Sequence, residues 1–225
     1  MTPEQNIPSF RLCFEKTGPI RFISHLDLTR AFHRAFARAQ IPFKYSEGFS
    51  PHPKFAFALP LSVGTESLME YADFSLKPGC TLTEEEIREK LQAQMPAGIK
   101  ILSVGEQKEK FSAISFARYI IFLPKTKPEH IPEYEKALSG QITIQKKNKK
   151  GKLVEKDISS GIHAISFMEK DGGVEIRATL SASGENYLKP ELVLSALSQR
   201  CPLFYAEEKE ILRTKVLKSD LSLFS

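Results

Sequence analysis

Apolar residues in this chain change their spacing in a fixed order, and that order limits the fold more than any other feature. Phe10 to Phe14 is an apolar-rich, strand-like run. After it, Leu28, Phe32, Ala35, Phe36 and Ala39 recur at the spacing of one helix face. Ser24 and Asp27 form an S-x-x-D capping signal ahead of a helix expected over Leu26 to Ala39. Ile41-Pro42 ends it, because a residue before proline is pushed out of the helical region. A Gly/Pro-rich loop, Ser46 to Pro53, then leads into two strand-like runs, Phe55 to Leu61 and Tyr71 to Leu76. A turn at Gly64 joins these runs, which are expected to pair as a hairpin. Thr83 opens a second helix whose first turn carries Glu84, Glu85 and Glu86, where carboxylates complement the helix dipole. Gly98 closes that helix before a strand at Lys100 to Val104, so the order is β-α-β-β-α-β.

The second half repeats the order. Phe116 to Leu123 reads as a strand, Pro128 to Leu138 as a helix, and Ala164 to Met168 with Val174 to Leu180 as a hairpin about Asp171-Gly-Gly. Pro190 suits a first helical turn, Leu192 to Leu197 supplies an apolar face, and Ile211 to Leu217 is the last strand. The pattern predicts an α+β protein of two tandem ferredoxin-like (βαββαβ) units with antiparallel sheets, residues 1–110 and 111–225. Residues 141–157 are extra in the second unit. They alternate as two short strands around Asn148-Lys-Lys-Gly and are expected to project as a basic β-hairpin.

Composition is that of an ordinary globular protein, with 41% hydrophobic and 26% charged residues. No apolar run reaches the roughly 18 to 20 residues that cross a bilayer, and the first residues lack the character of a signal peptide. The expectation is therefore a cytoplasmic protein without a membrane segment. Cys13, Cys80 and Cys201 are scattered and form no metal- or cluster-binding group, so they are expected as buried free thiols. A formal charge of +5 favours polyanionic partners, though where the charges stand matters more than their sum.

Those charges cluster in two places. Arg30, Arg34 and Arg38 recur at steps of four along the first helix, as a stripe that suits phosphates or is simply a solvated face. Tyr45-Ser-Glu-Gly-Phe-Ser-Pro-His-Pro-Lys54 follows the helix, and Pro51 and Pro53 stiffen the chain around His52. That loop is either a well-made turn or a rigid site. The hairpin carries Lys146, Lys147, Lys149, Lys150 and Lys152, which could track a nucleic-acid backbone or protect a sheet edge from aggregation. Nothing in the sequence forms a P-loop, a dinucleotide fingerprint, a nucleophile–base pair or a metal-ligand pair, so no metal and no cofactor are expected.

The runs Arg21-Phe-Ile-Ser-His-Leu-Asp-Leu, Tyr45 to Lys54, and Ala58-Leu-Pro-Leu-Ser-Val-Gly-Thr-Glu66 resemble the radical-SAM-linked protein family. The similarity is dense from Phe14 to about Leu76 and thin afterwards. It implies, as partner, a cobalamin-binding radical SAM protein encoded beside the family member or fused to it. This chain has no C-x-x-x-C-x-x-C cluster motif, so the resemblance implies an accessory rather than the radical-generating subunit.

Three functions then compete. In the first, the chain binds tRNA or rRNA through Arg30, Arg34, Arg38, His52, Lys54 and the hairpin lysines, and presents it to the partner enzyme. In the second, Phe22, Tyr45 and Phe49 dock the radical SAM subunit without nucleic acid, as exposed aromatics do at interfaces. In the third, an architectural likeness to the repeat-processing endoribonucleases of CRISPR systems makes His25 or His52 a general base, with Lys54 or Arg30 stabilising charge.

Overall fold

The computed structural model describes residues 9–147 and 151–225. Two units separate along the chain, the first made of residues up to Phe111 together with Ser225 and the second of Ser112–Phe224. Both are α+β with antiparallel sheets. No helix among the described residues is long and apolar enough to cross a membrane.

In the first unit the order is β1 (Ser9–Lys16), α1 (His25–Arg38), β2 (Phe55–Phe57), β3 (Thr65–Ser75), α2 (Glu84–Gln92) and β4 (Ile99–Glu106). The strands lie β4-β1-β3-β2, every neighbour antiparallel. Alternation along each strand divides the sheet into two faces. Leu12, Phe14, Ala72 and Phe74 turn toward the helices and join Leu28, Phe32, Ala35 and Phe36 of α1 in one buried core. Aromatic edges fill it: Phe14 meets Phe32 at 4.9 Å and Phe36 meets Phe74 at 5.0 Å between ring centroids. Truncating a core phenylalanine of this kind costs about 3–5 kcal/mol.

The helix ends have local causes. Ser24 Oγ accepts the Asp27 N–H at 3.1 Å and so caps α1. Thr83 and Glu86 form a reciprocal capping box at the start of α2. At the other end of α1, Gln40 takes a left-handed φ of 56°, Ile41 N–H donates to Phe36 O at 3.1 Å and Gln40 N–H to Ala37 O at 3.1 Å. This is a Schellman arrangement with glutamine where glycine is favoured. The strand expected over Phe55 to Leu61 stops at Phe57. Ala58 N–H still reaches Tyr71 O at 2.9 Å, but Pro60 has no N–H to continue the ladder, and the chain turns through Ser62–Thr65 instead.

The second unit runs β5 (Phe116–Leu123), α3 (Ile131–Ala137), β6 (Thr143–Lys147), β7 (Leu153–Asp157), β8 (Ile162–Lys170), β9 (Gly173–Ser181), α4 (Pro190–Arg200) and β10 (Glu210–Leu217). Its main sheet is ordered β10-β5-β9-β8, while β6 and β7, among the described residues, form a separate two-stranded sheet. Pro128–His130 forms a 3-10 turn that enters α3, so the expected helix is shorter and divided. Ile144 anchors the hairpin, buried at 1% exposure, and Gln145 N–H donates to Gln199 of α4 at 3.3 Å.

Cys13 and Cys201 are buried and Cys80 is half-buried. Burial, reinforced by the nearby Glu70 charge, pushes the Cys13 thiol up to about 12, which keeps it protonated and unreactive.

Candidate functional site

The loop from Phe43 to Lys54 is built as a narrow ladder rather than an open turn. Phe43 bridges Leu76, Tyr45 bridges Pro53, Lys54 N–H donates to Lys44 O at 2.8 Å, and Ser46 N–H donates to His52 O at 2.8 Å. Gly48, at φ 121°, lets the tip reverse. Ser46 Oγ fixes the imidazole: it accepts the His52 N–H at 3.1 Å and lies 2.9 Å from Nδ1, so Nε2 is the nitrogen left to a ligand. Phe49 stands fully out at the tip and Tyr45 is 47% exposed; His52 and Lys54 are exposed as well. The loop thus carries aromatic surface, an imidazole and a lysine on one braced element.

The arginine stripe is exposed along α1, but its members differ. Arg30 pairs with Asp27 at 3.2 Å, and the Ser24 hydroxyl followed by Arg30 holds the Asp27 carboxyl below its ordinary range. Arg38 donates to Gln94 O at 2.6 Å, beyond α2, on the side of the unit away from β2 and its loop. Arg34 makes no hydrogen bond or ion pair among the described residues and is the arginine most available to a phosphate.

His25 packs its ring against Phe57 at 5.2 Å, on the helix side of the sheet and at the far end of β2 from the loop. It is therefore not gathered with His52 and Lys54. Phe22 is 62% exposed, with the Arg21 guanidinium 4.9 Å above its ring and Gly64 alongside. It stands near the start of α1, whereas Tyr45 and Phe49 follow the end of that helix. The residues expected to dock a partner thus fall into two places.

In the second unit, Lys152 is exposed just before β7. Lys146 and Lys147 lie in β6, and Lys149 and Lys150 fall outside the described residues. Among the described residues no group of His, Cys, Asp and Glu is arranged to hold a metal ion.

Sequence reasoning missed a cleft of about 320 Å³ beside the loop, lined by His52, Lys54, Ala56, Asp73, Ser75 and Gln107. It forms on the sheet face turned away from the helices. There Arg11, Asp73 and Ala56 stand in one cross-strand row, and Ser9 and Ser75 in another. Arg11 is buried at 5% and grips both Asp73 oxygens, through Nε at 2.8 Å and Nη2 at 3.0 Å. Gln107 Nε2 donates to Asp73 Oδ2 at 2.8 Å. The signal was present in the alternation of Ser9 and Arg11 with Phe10 and Leu12, and of Asp73 and Ser75 with Phe74, but the register between the strands was needed to read it.

Comparison with known proteins adds a family and little else. A chain of the crystal structure of a Cbf5-Nop10-Gar1 complex aligns at 12% identity over 93% of this chain and 50% of its own, with a TM-score of 0.45. This chain therefore spans about half the length of that neighbour. An unknown protein from Galdieria sulphuraria aligns at 12% identity over 92% of this chain and 98% of its own, with a TM-score of 0.28. Likenesses this distant carry no argument about function. No curated protein matches the chain. A family model described as "Uncharacterized protein conserved in bacteria (DUF2344)" matches residues 9–190, and with that span covered the chain belongs to the DUF2344 family.

Proposed function

We propose that this protein is a cytoplasmic RNA-binding accessory that holds a tRNA or rRNA segment for a cobalamin-binding radical SAM enzyme. Both units are read here as ferredoxin-like, from their element order and strand order. The observation that carries the RNA reading is the braced loop of the first unit, which exposes Tyr45 and Phe49 together with His52 and Lys54. Exposed aromatics on a rigid element stack unpaired bases, each worth about 1–3 kcal/mol, while neighbouring cations meet the phosphates. Arg34 adds charge to the first unit, and the hairpin lysines supply charge of their own in the second.

A protein-docking role has support of its own in a different patch. Phe22, Leu26 and Val63 are exposed at 62%, 56% and 58%, and Phe22 packs beside Gly64, next to Val63. On this account the partner enzyme meets the start of α1, and RNA meets the loop that follows the helix end. An endoribonuclease would have to rest on His52 and Lys54 alone, since His25 belongs to the other end of β2.

The test measures fluorescence anisotropy of a labelled single-stranded RNA with the full chain. Binding that weakens with salt and falls roughly tenfold in Phe49→Ala supports the assignment. Salt-independent binding, or none, contradicts it. Co-purification with the partner that resists nuclease and is lost in Phe22→Asp would locate docking separately.

A further inference from the structure

We propose that the cleft beside the loop is a subsite for one unpaired nucleobase, and that it prefers a base bearing an exocyclic amino group to uracil; this rests on the RNA-binding reading above. The argument begins with side-chain size. On the sheet face away from the helices, Ala56 and Ser75 are small, and they are flanked by the larger Lys54, Asp73 and Gln107. The result is a recess of about 320 Å³, with room for one flat heterocycle.

Its polar wall is preorganised. Arg11 engages both carboxylate oxygens of Asp73, and the Gln107 amide donates to Oδ2. Among the described residues Oδ1 takes only the Arg11 Nε bond, and a carboxylate oxygen accepts more than one hydrogen bond, so Oδ1 keeps an acceptor site. Gln107, which also lines the cleft, carries an amide carbonyl that is an acceptor of its own. Asp73 is held in place by buried Arg11, so its carboxylate keeps this orientation. This part of the wall therefore favours a ligand that donates N–H groups, while the Ser9 and Ser75 hydroxyls and the Lys54 ammonium line the rest of the cleft. The 4-amino group of cytosine meets that demand, as do the amino groups of adenine and guanine. Uracil presents a carbonyl at the corresponding position, against an acceptor. Lys54 and His52 also line the cleft and offer N–H groups to the phosphate of the same nucleotide, and exposed single strands are the RNA form whose bases can be splayed into such a site.

The experiment compares short ribo-oligomers of cytidine and of uridine, equal in length, in the same salt with the full chain. These probes share phosphates and ring size and differ at position 4, where amino replaces oxo, and at N3, which accepts in cytosine and donates in uracil. The expected result is roughly tenfold tighter binding of the cytidine oligomer, the scale of one charge-assisted hydrogen bond. Ala56→Phe, at an exposed edge-strand position that tolerates an aromatic, fills the recess and brings cytidine affinity down to the uridine value. Equal affinity of the two oligomers for the unaltered chain, or a preference that survives Ala56→Phe, overturns the subsite and leaves RNA binding standing. Failure to bind either oligomer overturns both.

Discussion

Glu66 Oε1 accepts two hydrogen bonds from the chain segment before α1, from Arg21 Nη1 at 2.9 Å and from the Gly18 N–H at 2.8 Å. The Arg21 carbonyl in turn accepts from Gly64 N–H at 2.8 Å and Lys16 Nζ at 3.0 Å. The first and third runs that carry the family resemblance are thereby clamped together, and Phe22 is held out between them. Replacing Glu66 with Ala strands both donors and should cost about 2 kcal/mol. Urea denaturation checks this, and an unchanged midpoint would show the clamp to be incidental.

Gln40 offers the opposite kind of change. Its φ of 56° at the end of α1 strains an L side chain, and glycine adopts that backbone freely. Gln40→Gly should raise stability by about 1 kcal/mol, seen as a higher Tm with no change in the circular-dichroism spectrum. Gly98 shows the converse: at φ 89°, a Cβ there would come within 2.4 Å of Thr17 O and 2.8 Å of Ile20. Gly98→Ala should lower stability by about 3 kcal/mol, because both the backbone and the turn carrying Arg21 must shift.

His33 gives stability a pH dependence. Its ring sits between Phe43 at 5.9 Å and Phe55 at 5.7 Å, its Nε2 is buried without a partner among the described residues, and desolvation lowers its pKa from the usual 6.5. The unfolded chain therefore takes up this proton at higher pH than the folded one. The contribution is complete above about pH 6.5 and is lost as pH falls from there toward the lower folded value. Urea midpoints measured between pH 7.5 and pH 5 should decline, and His33→Leu should flatten that decline.

Arg34 and Arg38 should separate in their effects although they look equivalent in sequence. Arg34→Ala should reduce the salt slope of RNA binding by about one phosphate contact with little change in stability. Arg38→Ala breaks the bonds to Gln94 and should act chiefly on stability. Identical behaviour of the two variants would mean that the stripe acts as one surface.

What could be read in advance follows from the range of the forces involved. The α1 helix was legible because one buried face imposes a period on Leu28, Phe32 and Phe36, and Ser24 caps it within three residues. β2 was read too long because apolar residues continue past Phe57, while the break comes from Pro60 and from backbone bonding to Tyr71. The division of the stripe was hidden because Gln94 lies far along the chain from Arg38. The cleft was hidden because it exists only when Arg11, Asp73 and Ala56 come into register from three strands.

The central claim is that the loop from Tyr45 to Lys54 grips single-stranded RNA. Its most direct test is a salt titration of RNA affinity for the unaltered chain beside Phe49→Ala/Lys54→Ala. The account predicts a log–log slope of about −2, as for some three phosphates, and at least a tenfold loss of affinity in the double variant. A flat salt dependence, or full affinity in the double variant, would contradict it.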